Sequence, residues 1–168
     1  MGSVVSQVSN ARENPDLERV HIEKRIKVIR GSPIEPQKEH GMSEVRTLIV
    51  DDSSVMRKIV ERSLRQAGLD TMVVHEAGSG TEGLALLKEN QVDLILSDIN
   101  MPSMDGLEFL RQLREQNLAP GVPVVMITTE SSEEHVKQAI LAGAQGYIRK
   151  PFTAEQVKER VLPLLNVA

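Results

Sequence analysis

Acidic side chains stand directly after two apolar runs of the sequence. Asp51 and Asp52 follow the run Leu48–Val50, and Asp98 follows a second run that ends at Ser97. Neighbouring carboxylates repel each other, so a cluster of them is costly unless a cation lies among them. Mg²⁺ prefers oxygen ligands, binds through one or two carboxylates and often accompanies phosphate. The three aspartates therefore predict a magnesium site that serves a phosphoryl group.

A hydroxyl and an ammonium follow two later apolar segments. Thr128 ends the run Val122–Thr128, and Lys150 follows the segment Gly146–Arg149. A hydroxyl and an ammonium both donate hydrogen bonds that phosphoryl oxygens accept. If these segments are strands of one parallel sheet, Thr128 and Lys150 meet the three aspartates at one edge of that sheet.

Strand-like runs and helical stripes alternate five times along the chain after residue 46. The predicted strands are continuous apolar or β-branched runs, and the predicted helices carry apolar residues three and four positions apart. The strands are Thr47–Val50, Met72–Glu76, Asp93–Ser97, Val122–Thr128 and Gly146–Arg149. The helices are Ser53–Ala67, Thr81–Glu89, Gly106–Gln116, Glu133–Ala142 and Thr153–Leu165, the last interrupted near Pro163.

Such alternation with short connections favours parallel strands, right-handed crossovers and helices on both faces of the sheet. Apolar strands without polar alternation agree with burial on both faces. Five units are too few for an eight-stranded barrel. We therefore predict an α/β fold with a five-stranded, parallel, doubly wound sheet of the flavodoxin-like type, which binds ligands at the carboxyl ends of its strands.

A break in composition near residue 42 divides the chain. Residues 1–42 are rich in proline and glycine, and their segment Val20–Ile29 fits a strand and a helix equally well. We predict that residues 1–42 are an N-terminal extension, either a flexible arm or an appended segment. Residues 43–168 are predicted to form the strand–helix domain.

The composition argues against several classes of function. The 168 residues carry a net charge of −4 and only 2% aromatic residues, which offers neither a field nor a stacking surface for nucleic acid. No apolar run reaches the ~20 residues that span a bilayer. Cysteine is absent, which excludes disulfides and thiol catalysis and suits a reducing compartment. We expect a cytoplasmic protein that neither binds nucleic acid nor inserts into a membrane.

The residues that carry the predicted chemistry also form a joint motif. Its parts are Asp51-Asp52, Ser97-Asp98-Ile99-Asn100-Met101-Pro102, Met104-Asp105-Gly106, Met126-Ile127-Thr128 and Gly146-Tyr147-Ile148-Arg149-Lys150-Pro151-Phe152. In order and spacing, this motif resembles the receiver domain of bacterial response regulators. The resemblance runs from about Glu44 onward, so it covers the predicted domain 43–168. Within the family, the chain most resembles the single-domain regulators of chemotaxis.

The resemblance implies a signalling switch of a two-component system, which catalyses only its own phosphorylation and dephosphorylation. Asp98 is implied to be the phosphoacceptor, which takes a phosphoryl group from a histidine kinase. Thr128 and Lys150 are implied to bind the phosphoryl oxygens.

The resemblance also implies Mg²⁺ as the cofactor. Asp52, Asp98 and the backbone carbonyl of Asn100 are implied to bind the ion directly, and Asp51 mainly through water. The family's lysine–proline peptide is cis, which leads us to expect a cis peptide between Lys150 and Pro151.

The family's switch is implied to consist of Thr128 and Tyr147, whose ring moves when the hydroxyl turns toward the phosphoryl group. This movement would reshape the face made by residues 133–142, 146–149 and 153–165. That face is then expected to bind an output partner such as a component of the flagellar motor switch. A phosphorelay intermediate made of one receiver remains an alternative, because no motif names the kinase or the output partner.

A nucleotide-binding alternative rests on Gly78, Gly80 and Gly83, which are spaced as G-x-G-x-x-G between a predicted strand and a predicted helix. Asp98 follows Gly78 at the distance of a ribose-binding acid, so the pattern is compatible with an NAD-binding module. However, that fingerprint normally follows the first strand, and here the first strand ends in two aspartates.

Simple capping of helices is a further alternative for two of the aspartates. Asp51 and Asp105 each precede a predicted helix, where a carboxylate commonly accepts a hydrogen bond from the first turn. Ser53 and Ser54 are competing candidates for the cap of the first helix.

Overall fold

Five parallel strands form one sheet, and a helix follows each strand along the chain. The computed structural model describes residues 44–130 and 132–165, so the predicted extension 1–42 lies outside the described residues. The strands are β1 (Val45–Val50), β2 (Met72–Ala77), β3 (Leu94–Ser97), β4 (Val124–Thr128) and β5 (Gly146–Arg149). Their order in the sheet is β2-β1-β3-β4-β5, and all neighbouring pairs are parallel.

Each helix begins after a polar residue that caps its first turn. The helices are α1 (Ser54–Gln66), α2 (Gly80–Glu89), α3 (Gly106–Glu115), α4 (Glu133–Leu141) and α5 (Ala154–Val161). The caps are Ser53, Ser79, Asp105, Ser132 and Thr153, and each side chain accepts a backbone N–H that has no partner within the helix. The capping interpretation is therefore wrong for Asp51 and confirmed for Asp105. None of the helices in the described ranges is long and apolar enough to cross a membrane.

Adjacent residues of the central strands pack on opposite faces of the sheet. Leu48 and Ile95 belong to one apolar cluster, which also contains side chains of α2, α3 and α4. Ile49 and Leu96 belong to the other cluster, which contains side chains of α1 and α5. Every residue of β3 and β4 is buried, as expected for strands that are covered on both faces. The predicted doubly wound, flavodoxin-like fold is confirmed.

Element boundaries differ from the prediction where proline or a turn intervenes. β4 begins at Val124 rather than Val122, because Val122 donates its N–H to a turn and Pro123 has no N–H to donate. The last helix ends at Val161, and the residues around Pro163 form a short 3₁₀ helix, Leu162–Leu165. β1 begins at Val45, two residues before its predicted start.

Gly106 brings the first turn of α3 against the end of β3. A Cβ atom at this position would lie 2.0 Å from the carbonyl oxygen of Asp98 and 2.8 Å from the terminal methyl of Met126. Because only glycine permits that approach, a side chain at residue 106 would push α3 away from the strand end that carries Asp98.

Candidate metal and phosphoryl site

The carboxyl ends of β1 and β3 lie side by side near the middle of the sheet. The N–H of Asp51 donates to the carbonyl of Ala77 at 3.0 Å, and the N–H of Asp98 donates to the carbonyl of Val50 at 2.9 Å. These bonds continue the strand ladders past the strand ends. Because β2 lies on the other side of β1, the order of the sheet reverses between β1 and β3. Both aspartates therefore lie at the crevice where open parallel sheets bind ligands.

Asp51, Asp52 and Asp98 come together as the sequence predicts. Each offers one carboxylate oxygen, and these oxygens lie within 4.8 Å of one another. Asp51 is 3% exposed and Asp98 is 8% exposed, whereas Asp52 lies at the surface. A group of oxygen donors that is buried on one side and open on the other fits Mg²⁺, which retains several water ligands when it binds carboxylates.

The ammonium of Lys150 bridges the two buried aspartates. Its Nζ lies 3.0 Å from Oδ2 of Asp51 and 3.2 Å from Oδ2 of Asp98. The lysine follows β5, and its N–H donates to the carbonyl of Thr128 at 2.8 Å. The peptide between Lys150 and Pro151 is cis, as the family resemblance implies. Lys150 thus supplies one positive charge to a cluster of three carboxylates.

Burial raises the pKa of the Asp98 carboxyl above its ordinary value. The ammonium of Lys150 lowers this pKa, and the charge of Asp51 raises it further. The net upward shift means that one lysine does not fully compensate for the desolvation and the neighbouring charge. An additional cation at the site would therefore be electrostatically favourable. The nearby carboxylates are the donors that Mg²⁺ prefers.

Thr128 and Asn100 border the cluster on the side of β4. The backbone N–H of Asn100 donates to Oδ1 of Asp98 at 3.3 Å, and its side-chain amide donates to the hydroxyl of Thr128 at 3.5 Å. The same hydroxyl accepts the backbone N–H of Glu130 at 3.2 Å. The structure thus connects the predicted phosphoacceptor to the predicted switch hydroxyl through one residue.

Tyr147 in β5 contacts the loop that follows β4, which contains Glu130. Its phenol donates a hydrogen bond to the backbone carbonyl of Glu130. Burial, and then the charge of Glu130, raise the pKa of the phenol, so the hydroxyl remains a donor. Thr128 and Tyr147 therefore contact opposite ends of one residue, Glu130, which lies two positions beyond Thr128.

Arg57 is a residue that our sequence analysis did not assign to the site. Its Nη1 donates to the carbonyl oxygen of Asp51 at 2.7 Å, and its side chain is 17% exposed. A signal for this burial was present, because Arg57 lies three and seven positions before Val60 and Leu64, which form the apolar stripe of α1. A charged residue on an apolar stripe needs a buried partner, although the sequence alone cannot say which one.

The three glycines of the nucleotide-binding alternative lie elsewhere and serve packing. They follow β2, which is the edge strand and is separated by β1 from the crevice between β1 and β3. The N–H of Gly78 donates to the carboxylate of Glu82 at 2.8 Å, which puts an acid where a dinucleotide would need a phosphate. A Cβ at Gly80 would lie 2.7 Å from the sulfur of Met104, and one at Gly83 would lie 3.0 Å from the ring of Phe109. The geometry therefore gives no support to an NAD site.

Comparison with known proteins returns one family. The family model described as the response regulator receiver domain matches residues 47–162. The chemotaxis protein CheY-3 of Vibrio cholerae is 41% identical over 117 residues, which cover 70% of this chain and 88% of that protein. The chemotaxis protein CheY of Pseudomonas aeruginosa is 38% identical and is covered to 93%.

Solved structures give the same result. The chemotaxis protein CheY4 of Vibrio cholerae has a TM-score of 0.66 at 36% identity, covering 73% of this chain and 100% of that chain. A CheY-like receiver domain protein from Methanospirillum hungatei has a TM-score of 0.65 at 31% identity, covering 74% of this chain and 95% of that chain.

Proposed function

Because the chain belongs to the response regulator receiver domain family, we propose that it takes a phosphoryl group from a histidine kinase onto Asp98. The observation that carries the proposal is the geometry around this carboxylate. Asp98 is buried beside Asp51, and its Oδ2 lies 3.2 Å from the ammonium of Lys150. A carboxylate is a competent nucleophile toward phosphorus when the charge that develops is neutralised.

In the proposed step, an Asp98 oxygen forms a new bond to phosphorus while the bond from phosphorus to the kinase's histidine nitrogen breaks. The electron pair of that bond stays on the imidazole. Lys150 and the hydroxyl of Thr128 hold the phosphoryl oxygens, and the carboxylate of Asp98 is held in place through the N–H of Asn100. Positioning and charge neutralisation, rather than acid–base chemistry, then account for the transfer.

The proposed cofactor is Mg²⁺. The carboxylates of Asp52 and Asp98 and the backbone carbonyl of Asn100 would hold it, with Asp51 acting mainly through water. When bound, Mg²⁺ supplies the positive charge that offsets the carboxylates and the incoming phosphoryl group. The mutual proximity of the three carboxylates and the raised pKa of Asp98 support this assignment.

The proposed signal is a change at the face made by α4, β5 and α5. Thr128 and Tyr147 hold the two ends of Glu130 in the loop before α4, so a hydroxyl that turns toward a phosphoryl group alters the support of that loop. α4, one of the three elements of this face, exposes two large apolar side chains, Ile140 at 60% and Leu141 at 86%. These support binding of an output protein.

The pathway that we propose is chemotaxis, with a flagellar motor switch component as the output partner and the cytoplasm as the location. The relatives named as chemotaxis proteins support this choice. A single-receiver phosphorelay intermediate would use the same site, and the identity of the captured partner distinguishes the two functions.

The test is labelling by acetyl phosphate, followed by capture of partners. Wild type should gain one acid-stable, base-labile phosphoryl group only with Mg²⁺ present, and Asp98→Asn should gain none. Asp70→Asn, which changes an exposed aspartate, is the matched control and should label as wild type. Labelling of Asp98→Asn at the same site would overturn the assignment. Capture of a flagellar switch protein by the phosphorylated form supports chemotaxis, whereas capture of a histidine phosphotransfer protein supports the relay.

A further inference from the structure

Among the described residues, the side chain of Arg57 is the hydrogen-bond donor to the backbone carbonyl of Asp51 in the candidate site. Asp51 donates its N–H to Ala77, accepts the N–H of Ser53 at Oδ1 at 2.8 Å, and faces Lys150 through Oδ2. Its remaining polar group is the backbone carbonyl, whose partner is Nη1 of Arg57 at 2.7 Å. This carbonyl belongs to the peptide that connects Asp51 to Asp52. The orientation of that peptide therefore depends on the guanidinium.

The guanidinium also forms an ion pair with an acidic side chain of the neighbouring strand. Nε of Arg57 lies 3.5 Å from Oε1 of Glu76 in β2, and Oε2 of Glu76 lies 3.4 Å from Nζ of Lys58.

One nitrogen of the guanidinium donates to the carbonyl of Asp51, while another lies in an ion pair with Glu76. Arg57 therefore connects α1, the end of β1 and the end of β2. Asp52 is exposed, so its carboxylate is oriented mainly by the backbone from which it extends.

We infer that Arg57 is a positioning residue for magnesium binding. By holding the carbonyl of Asp51, it orients the following peptide so that the carboxylate of Asp52 faces that of Asp98. This inference rests on the magnesium site of the proposed function and adds a residue to it. Groups that orient metal ligands commonly change metal affinity by about 10- to 100-fold when they are removed.

Charge and positioning predict opposite results, which makes the inference testable. Arg57 is a cation close to a cation site, so a purely electrostatic role means that its removal strengthens Mg²⁺ binding. A positioning role means that its removal weakens Mg²⁺ binding, although a repulsive charge has been deleted.

The experiment is isothermal titration of the full chain with MgCl₂, together with the melting temperature in EDTA. Arg57→Met should raise the Kd for Mg²⁺ by about 10-fold. Arg62→Met, which removes an exposed arginine from the same helix, should leave the Kd unchanged or lower it slightly. Arg57→Lys keeps the charge but lacks the planar guanidinium that reaches the Asp51 carbonyl and Glu76 together, so its Kd should lie between those of wild type and Arg57→Met.

An unchanged or lowered Kd in folded Arg57→Met would overturn the inference while leaving the magnesium site intact. If Arg57→Met does not fold, Arg57→Lys decides, and a wild-type Kd in that variant also overturns the inference. If wild type itself shows no Mg²⁺ binding, the proposed function fails instead. The phosphorylation rate, measured as a function of Mg²⁺ concentration, gives a further check. In Arg57→Met, the Mg²⁺ concentration that gives the half-maximal rate should rise. The maximal rate, reached at saturating Mg²⁺, should fall much less.

Discussion

Asp98 is held in an unfavourable electrostatic position. Its carboxylate is buried, lies near another buried carboxylate and has only Lys150 as a cationic partner in the described part of the chain. Burial and the charge of Asp51 raise the pKa of this carboxyl, although Lys150 lowers it. The ionised carboxylate therefore lowers the stability of the folded protein. Functional sites commonly hold reactive carboxylates in such unfavourable surroundings.

We predict that Asp98→Asn stabilises the metal-free protein. Asparagine cannot ionise, whereas the folded protein holds the Asp98 carboxyl at a pKa above its unfolded value. The ionised carboxylate therefore destabilises the fold above the folded pKa, and this effect disappears as the pH falls through that pKa. The melting temperature in EDTA should rise by roughly 2–5 °C near pH 7, and the difference should shrink in acid.

The control for this comparison is Asp70→Asn, whose melting temperature should follow that of wild type at each pH. Calorimetry across the acid range measures both variants. An Asp98→Asn protein that melts below wild type at neutral pH would contradict the predicted imbalance.

Lys150 is expected to stabilise the metal-free fold, because its ammonium lies between two buried carboxylates. In Lys150→Met, the carboxylates of Asp51 and Asp98 lose the cation that lies between them. Removing one partner of a largely buried ion pair costs about 3 kcal/mol. Urea unfolding in EDTA should show this loss, whereas Lys158→Met, at an exposed position of α5, should change stability by less than about 0.5 kcal/mol. Equal stabilities of the two variants would show that Lys150 does not compensate for the carboxylates.

At the level of single residues, the sequence predicts the site because the site follows strand ends. Asp51, Asp98 and Lys150 each come directly after an apolar run, and parallel strands bring such positions to one edge. Arg57 and Glu130 do not follow this rule. Arg57 reaches the site from within a helix, and Glu130 takes part through its backbone, which every residue has.

At the level of elements, the close contact between α3 and β3 depends on a glycine at residue 106, which has no Cβ. Gly106→Ala would place a Cβ 2.0 Å from the carbonyl oxygen of Asp98, and backbone atoms cannot move aside as the end of a flexible side chain can. We expect a loss of about 2 kcal/mol in stability and slower phosphorylation of Asp98, because the strand end or the helix must shift.

Gly78→Ala provides the control for this steric prediction. Its Cβ would meet neighbouring atoms at 3.5 and 3.7 Å, which are ordinary contact distances. Urea unfolding and the rate of labelling by acetyl phosphate measure both variants. If Gly106→Ala and Gly78→Ala behave alike, close packing at residue 106 does not position the site.

Most elements could be predicted from periodicity, and their ends could be predicted only where a local signal exists. Polar N-caps indicate where α1 and α3 begin, since a side-chain oxygen must accept a first-turn N–H. The start of β4 depends on whether Val122 enters the sheet or a turn. That choice depends on the neighbouring chain, which periodicity does not describe.

At the level of the whole molecule, five strand–helix units suffice for the proposed site. Its predicted residues all lie between Asp51 and Lys150, within the family match of residues 47–162. The fold class could be predicted because alternation, apolar strands and short connections all favour the same architecture. The role of residues 1–42 could not, because their composition is compatible with several structures.

We predict that residues 1–42 are dispensable for phosphorylation. A chain that begins at Met42 should bind Mg²⁺ and gain phosphate from acetyl phosphate at the rate of the full chain, within about twofold. The rate of labelling and the melting temperature, measured for both chains in parallel, test this prediction. A truncated chain that fails to fold or to label would show that the extension belongs to the domain.

The hydrogen bonds at Glu130 allow the exchange rate of its backbone amide proton to report the signalling state. The amide of Glu130 is bonded to the hydroxyl of Thr128 at 3.2 Å, and its carbonyl is bonded to Tyr147. If the hydroxyl turns away toward a phosphoryl group, this amide loses its acceptor and should exchange with deuterium faster. Thr128→Val should show the fast rate without any phosphoryl group. Exchange at one backbone position, followed by NMR, would then measure the fraction of molecules that has switched.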